Sequence, residues 1–143
     1  MDLHGGLIVD ETKAVAHFAG EDRDFWLPMA RIVAFEREAD CSLFALFYAI
    51  GENVGSVTGG ETVLIGASDA RLRQCHSLIR NALIGAGVPE KDATEMVKVY
   101  CYPARPAMHD LALCYTILNT AIYGIKIPES SKKKPEAESP DPS

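Results

Sequence analysis

The fold is decided by the stretch LRQCHSLIRNALIGAGVPE, residues 72–90. Its apolar and small residues recur at intervals of three and four, which predicts a helix with an inner face formed by Leu72, Cys75, Ile79, Ala82, Leu83 and Ala86. Ser68 is a suitable cap, and Asp69 suits the positive end of the helix dipole. Gly85 and Gly87 end this helix, and Pro89 begins another. The stretch therefore predicts two consecutive helices joined by a short turn.

Helical spacing continues on both sides of this stretch. Towards the N-terminus, Pro28 begins a helix that runs to about Ala39. Asp40 or Ser42 can cap the next helix, whose body is residues 43–50, and its apolar residues on nearly every face predict the most buried element. Towards the C-terminus, the helix after Pro89 carries acidic residues in its first turn and faces inward with Ala93, Met96, Val97 and Tyr100. A last helix presents Met108, Leu111, Tyr115, Leu118 and Ile122, and Gly124 ends it.

The first 27 residues read as short strands. Residues 7–9 and 14–18 are separated by a turn at 10–12, and a second turn at 20–24 precedes a third short strand at 25–27. A further strand is predicted at 62–65, within the glycine-rich segment 51–67. We therefore predict an α+β fold, predominantly α, with an N-terminal β-hairpin followed by about five helices and a disordered C-terminal tail. The predicted single domain spans 1–127 (hairpin region 1–27, helices 28–125), and the tail spans 128–143.

Composition restricts the partners. The chain has 143 residues, of which 14 are basic and 20 acidic, so its formal net charge is −6. No basic face is evident, which argues against nucleic acid or an anionic membrane as partner.

The start lacks the pattern of a signal peptide, no apolar run approaches a membrane span, and the four cysteines contain no C-x-x-C pair. We expect a cytoplasmic protein with reduced, buried thiols.

Three motifs have residue types that could carry chemistry. Residues 55–62 fit the spacing of a phosphate-binding loop, but Glu61 stands where the motif has lysine, and a strand follows where it needs a helix. Cys75, His76, Cys101, His109 and Cys114 lack the short regular spacing of zinc ligands. The helix after Gly87 begins Pro-Glu-Lys-Asp, whose acids disfavour a DNA-recognition helix. We therefore expect no catalytic residue, no cofactor and no metal, and a protein that is not an enzyme.

Aromatic residues near turns are the candidates for partner contact. They are Phe25, Trp26, Tyr100 and Tyr102. Aromatic side chains are frequent anchors of protein interfaces, but a small domain also uses them to close the edge of its core. The sequence leaves both readings open.

The order of these elements resembles a known family. The residues that carry the resemblance are Glu36-Arg37-Glu38-Ala39, Ser42 to Leu46, the run 78–90 and the ending Ala121-Ile122-Tyr123-Gly124. Over roughly residues 5–125, the chain is similar to the tail assembly chaperones of gene transfer agents and siphophages. The glycine-rich segment 51–66 is longer than the family pattern.

The resemblance implies a protein that binds the tape measure protein in the host cytoplasm, keeps it soluble and assists assembly of the tail tube protein around it. The resemblance does not decide whether the protein forms a homo-oligomer. The alternatives are a small cytoplasmic adaptor or transcriptional regulatory domain, and a structural tail component of the particle. The resemblance also suggests a programmed frameshift near Lys132-Lys133-Lys134, whereas composition alone favours a solvated basic patch there.

Overall fold

The computed structural model describes residues 8–51, 54–58, 61–64 and 71–128. The strands are β1 (Ile8–Glu11), β2 (Ala14–Phe18), β3 (Glu21–Phe25), β4 (Val54–Thr58), β5 (Glu61–Leu64) and β6 (Ile125–Pro128). The helices are α1 (Met29–Ala39), α2 (Leu43–Gly51), α3 (Leu72–Gly85), α4 (Glu90–Tyr100) and α5 (Ala107–Tyr123). The fold is α+β and mostly helical, with an N-terminal hairpin before five described helices, as the sequence predicted. Ser68, Asp69 and residues 129–143 lie outside the described residues.

The N-terminal hairpin is formed by β2 and β3. These strands pair antiparallel from Ala14 opposite Phe25 to Phe18 opposite Glu21. The turn between them is Ala19 and Gly20, both at positive φ, and the backbone carbonyls of Phe18 and Ala19 accept hydrogen bonds from the Arg23 guanidinium. The expected pairing of residues 7–9 with 14–18 across a turn at 10–12 is wrong. Residues 20–24 were expected to be a turn, and most of them belong to β3.

The first strand pairs instead with the last strand. β1 and β6 run antiparallel, with Ile8 opposite Pro128 and Glu11 opposite Ile125. The sequence predicted that the last helix ends at Gly124 and that the domain ends at residue 127, with no strand after the helix; β6 follows the helix and reaches Pro128. The strand β6 was not predicted, because its partner β1 lies more than a hundred residues earlier and the local sequence pattern does not show the pairing. A third pair, β4 with β5, confirms the strand expected near Thr62 and adds an unexpected one at Val54–Thr58.

Proline sets the start of three helices. Pro28, Pro89 and Pro106 directly precede α1, α4 and α5, each in an extended conformation that suits the residue before a helix. Ser42, one of the two caps that the sequence allowed, caps α2, because its Oγ accepts a hydrogen bond from the Ala45 N–H at 3.0 Å. The Leu43 N–H donates to the Glu36 carboxylate at 2.9 Å, which ties the start of α2 to α1.

Helices α3 and α5 form the centre of the core. α3 buries Cys75, Leu78, Ile79, Asn81, Ala82 and Leu83, and α5 buries Asp110, Leu111, Leu113, Cys114, Ile117, Leu118 and Thr120. The expectation that α2 is the most buried helix is wrong, since α2 buries only Leu43, Leu46 and Ile50. Phe47 is partly buried against the core, and Phe44 and Tyr48 are exposed. No helix among the described residues is long and apolar enough to cross a membrane.

The hairpin is held tightly against α3. The Trp26 N–H donates to the Ala82 carbonyl at 3.0 Å. A Cβ placed on Gly85 would lie 2.0 Å from the Trp26 carbonyl oxygen, so only glycine lets the chain cross the helix here. Phe18 and Phe25 lie under this crossing in edge-to-face contact, with ring centroids 5.9 Å apart. The hairpin therefore closes one end of the helical core.

Candidate functional site

The four aromatic candidates for partner contact do not share one surface role. Phe25 is completely buried, packed against Phe18, so its prediction as a contact residue is wrong. Trp26 is partly exposed, and its indole N–H donates to the Thr12 hydroxyl at 3.0 Å. Tyr100 and Tyr102 are partly exposed at the end of α4, where Tyr100 also packs edge-to-face on Phe18. Three of the four remain available to a partner.

A larger apolar surface lies elsewhere, on α1, α2 and α5. Met29 is 70% exposed, Phe44 64% and Tyr48 70%. Phe44 and Tyr48 stand four residues apart on α2, so they lie on one face of that helix. Beside them is an apolar groove of about 420 Å³, lined by Thr12, Leu27, Met29, Ile32, Glu36, Leu43, Phe44, Ala121 and Ile122. Large exposed apolar side chains grouped around a groove are typical of a binding surface.

The same face continues into an aromatic pocket. Its volume is about 310 Å³, and Phe47, Tyr48, Gly51, Tyr115 and Tyr123 line it. Phe47 stacks on Tyr115 with ring centroids 5.3 Å apart, and it meets Tyr123 at 6.0 Å. Tyr123 itself is 67% exposed. We call the groove and this pocket together the α2–α5 face.

The composition of α2 already contains a signal of this face. α2 is apolar on nearly every side, and this pattern predicted burial. The other explanation of an all-apolar helix is a contact surface, and the structure distinguishes the two because the core covers only one side of α2. Phe44, Tyr48 and Tyr123 are therefore the contact candidates that sequence reasoning missed.

A second cluster is centred on the buried carboxylate of Asp110. Oδ1 of Asp110 accepts from Arg105 Nε at 2.7 Å, and Oδ2 accepts from the Tyr102 N–H at 2.8 Å. His76 Nε2 lies 2.9 Å from Oδ2. The buried thiol of Cys101 completes the group, and the ligand atoms of His76, Cys101 and Asp110 all lie within 4.8 Å of one another.

The thiols of this region are not poised as nucleophiles. Burial, and after it the charge of the neighbouring Asp110 carboxylate, raise the pKa of Cys101 to about 12. Burial, together with the adjacent Cys75 thiol, also raises the pKa of Cys114 well above its ordinary value. The Cys114 thiol contacts the Cys75 carbonyl oxygen at 3.3 Å. Since the thiolate is the reactive form, these cysteines are expected to be inert at neutral pH.

A third polar cluster joins α1, α3 and α4. Arg80 is the common member: its guanidinium lies 3.3 Å from the Glu38 carboxylate and 2.8 Å from the Glu90 carboxylate, and it donates to the Thr94 hydroxyl. The Glu38 carboxylate also accepts from Ser77 and from the buried Asn81. Ser77, Arg80 and Asn81 each donate to an acceptor within the cluster, so the cluster is best explained as a structural junction.

The comparisons with known proteins identify no relative. No family model matches the chain, and neither the curated proteins nor the solved structures include a match.

Proposed function

We propose that this protein is a tail assembly chaperone, which acts by binding an extended helical protein of the tape measure class rather than by catalysis. The observation that best supports this proposal is the exposed α2–α5 face. A domain of this size that leaves Met29, Phe44 and Tyr48 in water loses the stabilisation of burying them, and a partner that covers them regains it.

The shape of the face favours a helix as occupant. An amphipathic helix binds by laying an apolar stripe into a groove between helices, with anchors spaced by three or four residues. Phe44 and Tyr48 offer complementary anchors at the same spacing on α2. Tape measure proteins, as the resemblance describes them, are long and helical, so many copies of this protein can coat one of them.

The polar features are consistent with a binding role. The Asp110 carboxylate is held by several donors, and the nearby thiols are protonated, so neither forms an activated catalytic group. The formal net charge of −6 keeps the many copies on one partner from associating nonspecifically with nucleic acid.

Co-expression with the long helical protein encoded beside this gene tests the proposal. We expect the two to co-elute in size exclusion, and we expect the partner to aggregate when it is expressed alone. A Phe44→Ser/Tyr48→Ser variant should lose co-elution while its own fold is kept, because both side chains are exposed. The control is Val99→Ser, which removes an exposed apolar side chain on α4 and should leave co-elution unchanged.

Other outcomes assign other roles. A partner that is soluble by itself and does not bind would reject the chaperone role and favour a small adaptor or regulatory domain. Retention of the protein in purified particles would indicate a structural tail component. Loss of binding in Tyr100→Ser or Tyr102→Ser, but not in the Phe44 and Tyr48 double variant, would move the binding surface to the end of α4.

A further inference from the structure

We propose that His76, Cys101 and Asp110 form a binding site for a single zinc-like divalent metal ion. The three ligands come from three separate elements: the first half of α3, the residue after α4 and the first turn of α5. Their ligand atoms already lie within 4.8 Å of one another. This proposal is independent of the proposed chaperone function.

The chemistry of the three donors suits zinc. Zinc binds imidazole nitrogen, cysteine sulfur and carboxylate oxygen, usually with tetrahedral geometry. Bond lengths of ~2.0–2.3 Å place tetrahedral ligand atoms roughly 3.3–3.8 Å apart. The widest separation, at most 4.8 Å, therefore needs a contraction of about 1 Å, which rotation of the His76 and Cys101 side chains can supply. Hard cations such as magnesium prefer oxygen ligands alone and are not expected to bind.

The carboxylate of Asp110 is already oriented for such a site. Arg105 holds Oδ1 and the Tyr102 backbone N–H holds Oδ2, so the carboxylate cannot rotate freely. Hydrogen bonds of this kind orient the ligands of many metal sites. The remaining contact, His76 Nε2 to Oδ2 at 2.9 Å, is the one that an ion would replace. His76 would then carry its proton on Nδ1 and offer Nε2 to the metal.

An ion can reach the site from the surface. Cys101 and Asp110 are completely buried, but the His76 side chain is 25% exposed. His76 lines a surface groove of about 540 Å³ that also touches Glu38, Ser77 and Arg80. Three protein ligands leave a fourth coordination position, which water can fill.

The charges of the site set its affinity. On binding, a metal–sulfur bond forms at Cys101, its S–H bond breaks, and the proton leaves to solvent. The thiolate and the Asp110 carboxylate then balance the two positive charges of the ion. The Arg105 guanidinium remains close and repels the ion, so we expect weaker binding than in zinc sites with only neutral and anionic neighbours.

Titration of the full chain with Co²⁺, in a non-chelating reductant, tests the site. We expect one equivalent to bind, with the visible bands of tetrahedral cobalt and a near-ultraviolet sulfur-to-cobalt charge-transfer band, and Zn²⁺ should displace it. Cys101→Ser should abolish the charge-transfer band. His76→Gln should weaken Co²⁺ binding at least about tenfold. The matched controls are Cys41→Ser and His109→Gln, which lie outside the cluster and should bind like the native chain.

The result that would overturn the proposal is a native chain without the charge-transfer band, or a band that persists in Cys101→Ser. If Cys101→Ser fails to fold by circular dichroism, His76→Gln decides, because His76 is partly exposed. Unchanged cobalt affinity in folded His76→Gln would reject the site. The result of the cobalt titration has no bearing on co-elution with the helical partner. The metal site and the chaperone function can therefore be confirmed or rejected separately.

Discussion

At the residue scale, Gly85 limits how closely the hairpin and α3 can approach. The Cβ of Gly85→Ala would lie 2.0 Å from the Trp26 carbonyl oxygen and 2.6 Å from Pro28 Cδ. Both atoms belong to a chain segment that is tied to α3 by the Trp26 N–H bond to Ala82, so the whole crossing has to move. We expect a loss of about 2–4 kcal/mol in the free energy of unfolding, measured by urea denaturation.

Gly51→Ala is the matched control. A Cβ at Gly51 would lie 3.5 Å from the Tyr115 ring, which is an ordinary contact. Because alanine is also the better residue in a helix, its unfolding free energy should stay within about 1 kcal/mol of the native value. Equal denaturation midpoints for the two variants would contradict the close approach at Gly85.

At the element scale, the Glu38 carboxylate joins α1 to α3 and, through Arg80, to α4. Burial would raise the pKa of Glu38, but hydrogen bonds from Ser77 and Asn81 and the charge of Arg80 outweigh it and lower the pKa below its ordinary value. A lowered pKa means that the charged form stabilises the fold above the ordinary glutamate pKa, and that this contribution is lost as the pH falls through the lowered value.

The variant Glu38→Gln tests this junction. We expect a loss of about 1 kcal/mol at neutral pH, a small value because the carboxylate is well exposed to solvent. The variant should also lose less stability than the native chain as the pH falls from about 5 to 3. Denaturant unfolding at each pH provides the measurement. The control, Glu95→Gln on the exposed side of α4, should follow the native pH dependence. If the unfolding free energy of Glu38→Gln falls with pH as steeply as that of the native chain, the role of the junction is disproved.

At the scale of the whole molecule, the core protects three of the four thiols. Cys75, Cys101 and Cys114 are buried, and Cys41 is partly exposed. Burial and the charges of Asp40 and Glu36 raise the pKa of Cys41, so it should react with DTNB more slowly than a free thiol but faster than the other three. We expect the native chain to show one early phase of reaction with DTNB, and the Cys41→Ser variant to lack it. In denaturant, all four thiols should react. Rapid reaction of three thiols in the native chain would show that the core is open.

The sequence by itself determined most of the helical architecture. Proline and serine at helix starts, glycine at helix ends and apolar residues at intervals of three and four are local signals, and each acts within about one turn of the helix. They located α1 to α5 and limited the cap of α2 to Asp40 or Ser42, of which the structure shows Ser42. They also identified Cys75, Ile79, Ala82 and Leu83 as the inner face of α3, all of which are completely buried.

Only the tertiary structure decided which elements meet. β1 pairs with β6 across nearly the whole described chain. The Asp110 carboxylate contacts His76 on α3 and the backbone N–H of Tyr102 after α4. It also decided that Phe25 is inside while Phe44 is outside, although both are apolar and aromatic. The physical reason is that burial depends on what packs opposite a side chain. That neighbour comes from a distant part of the sequence, so spacing along one helix or strand cannot identify it.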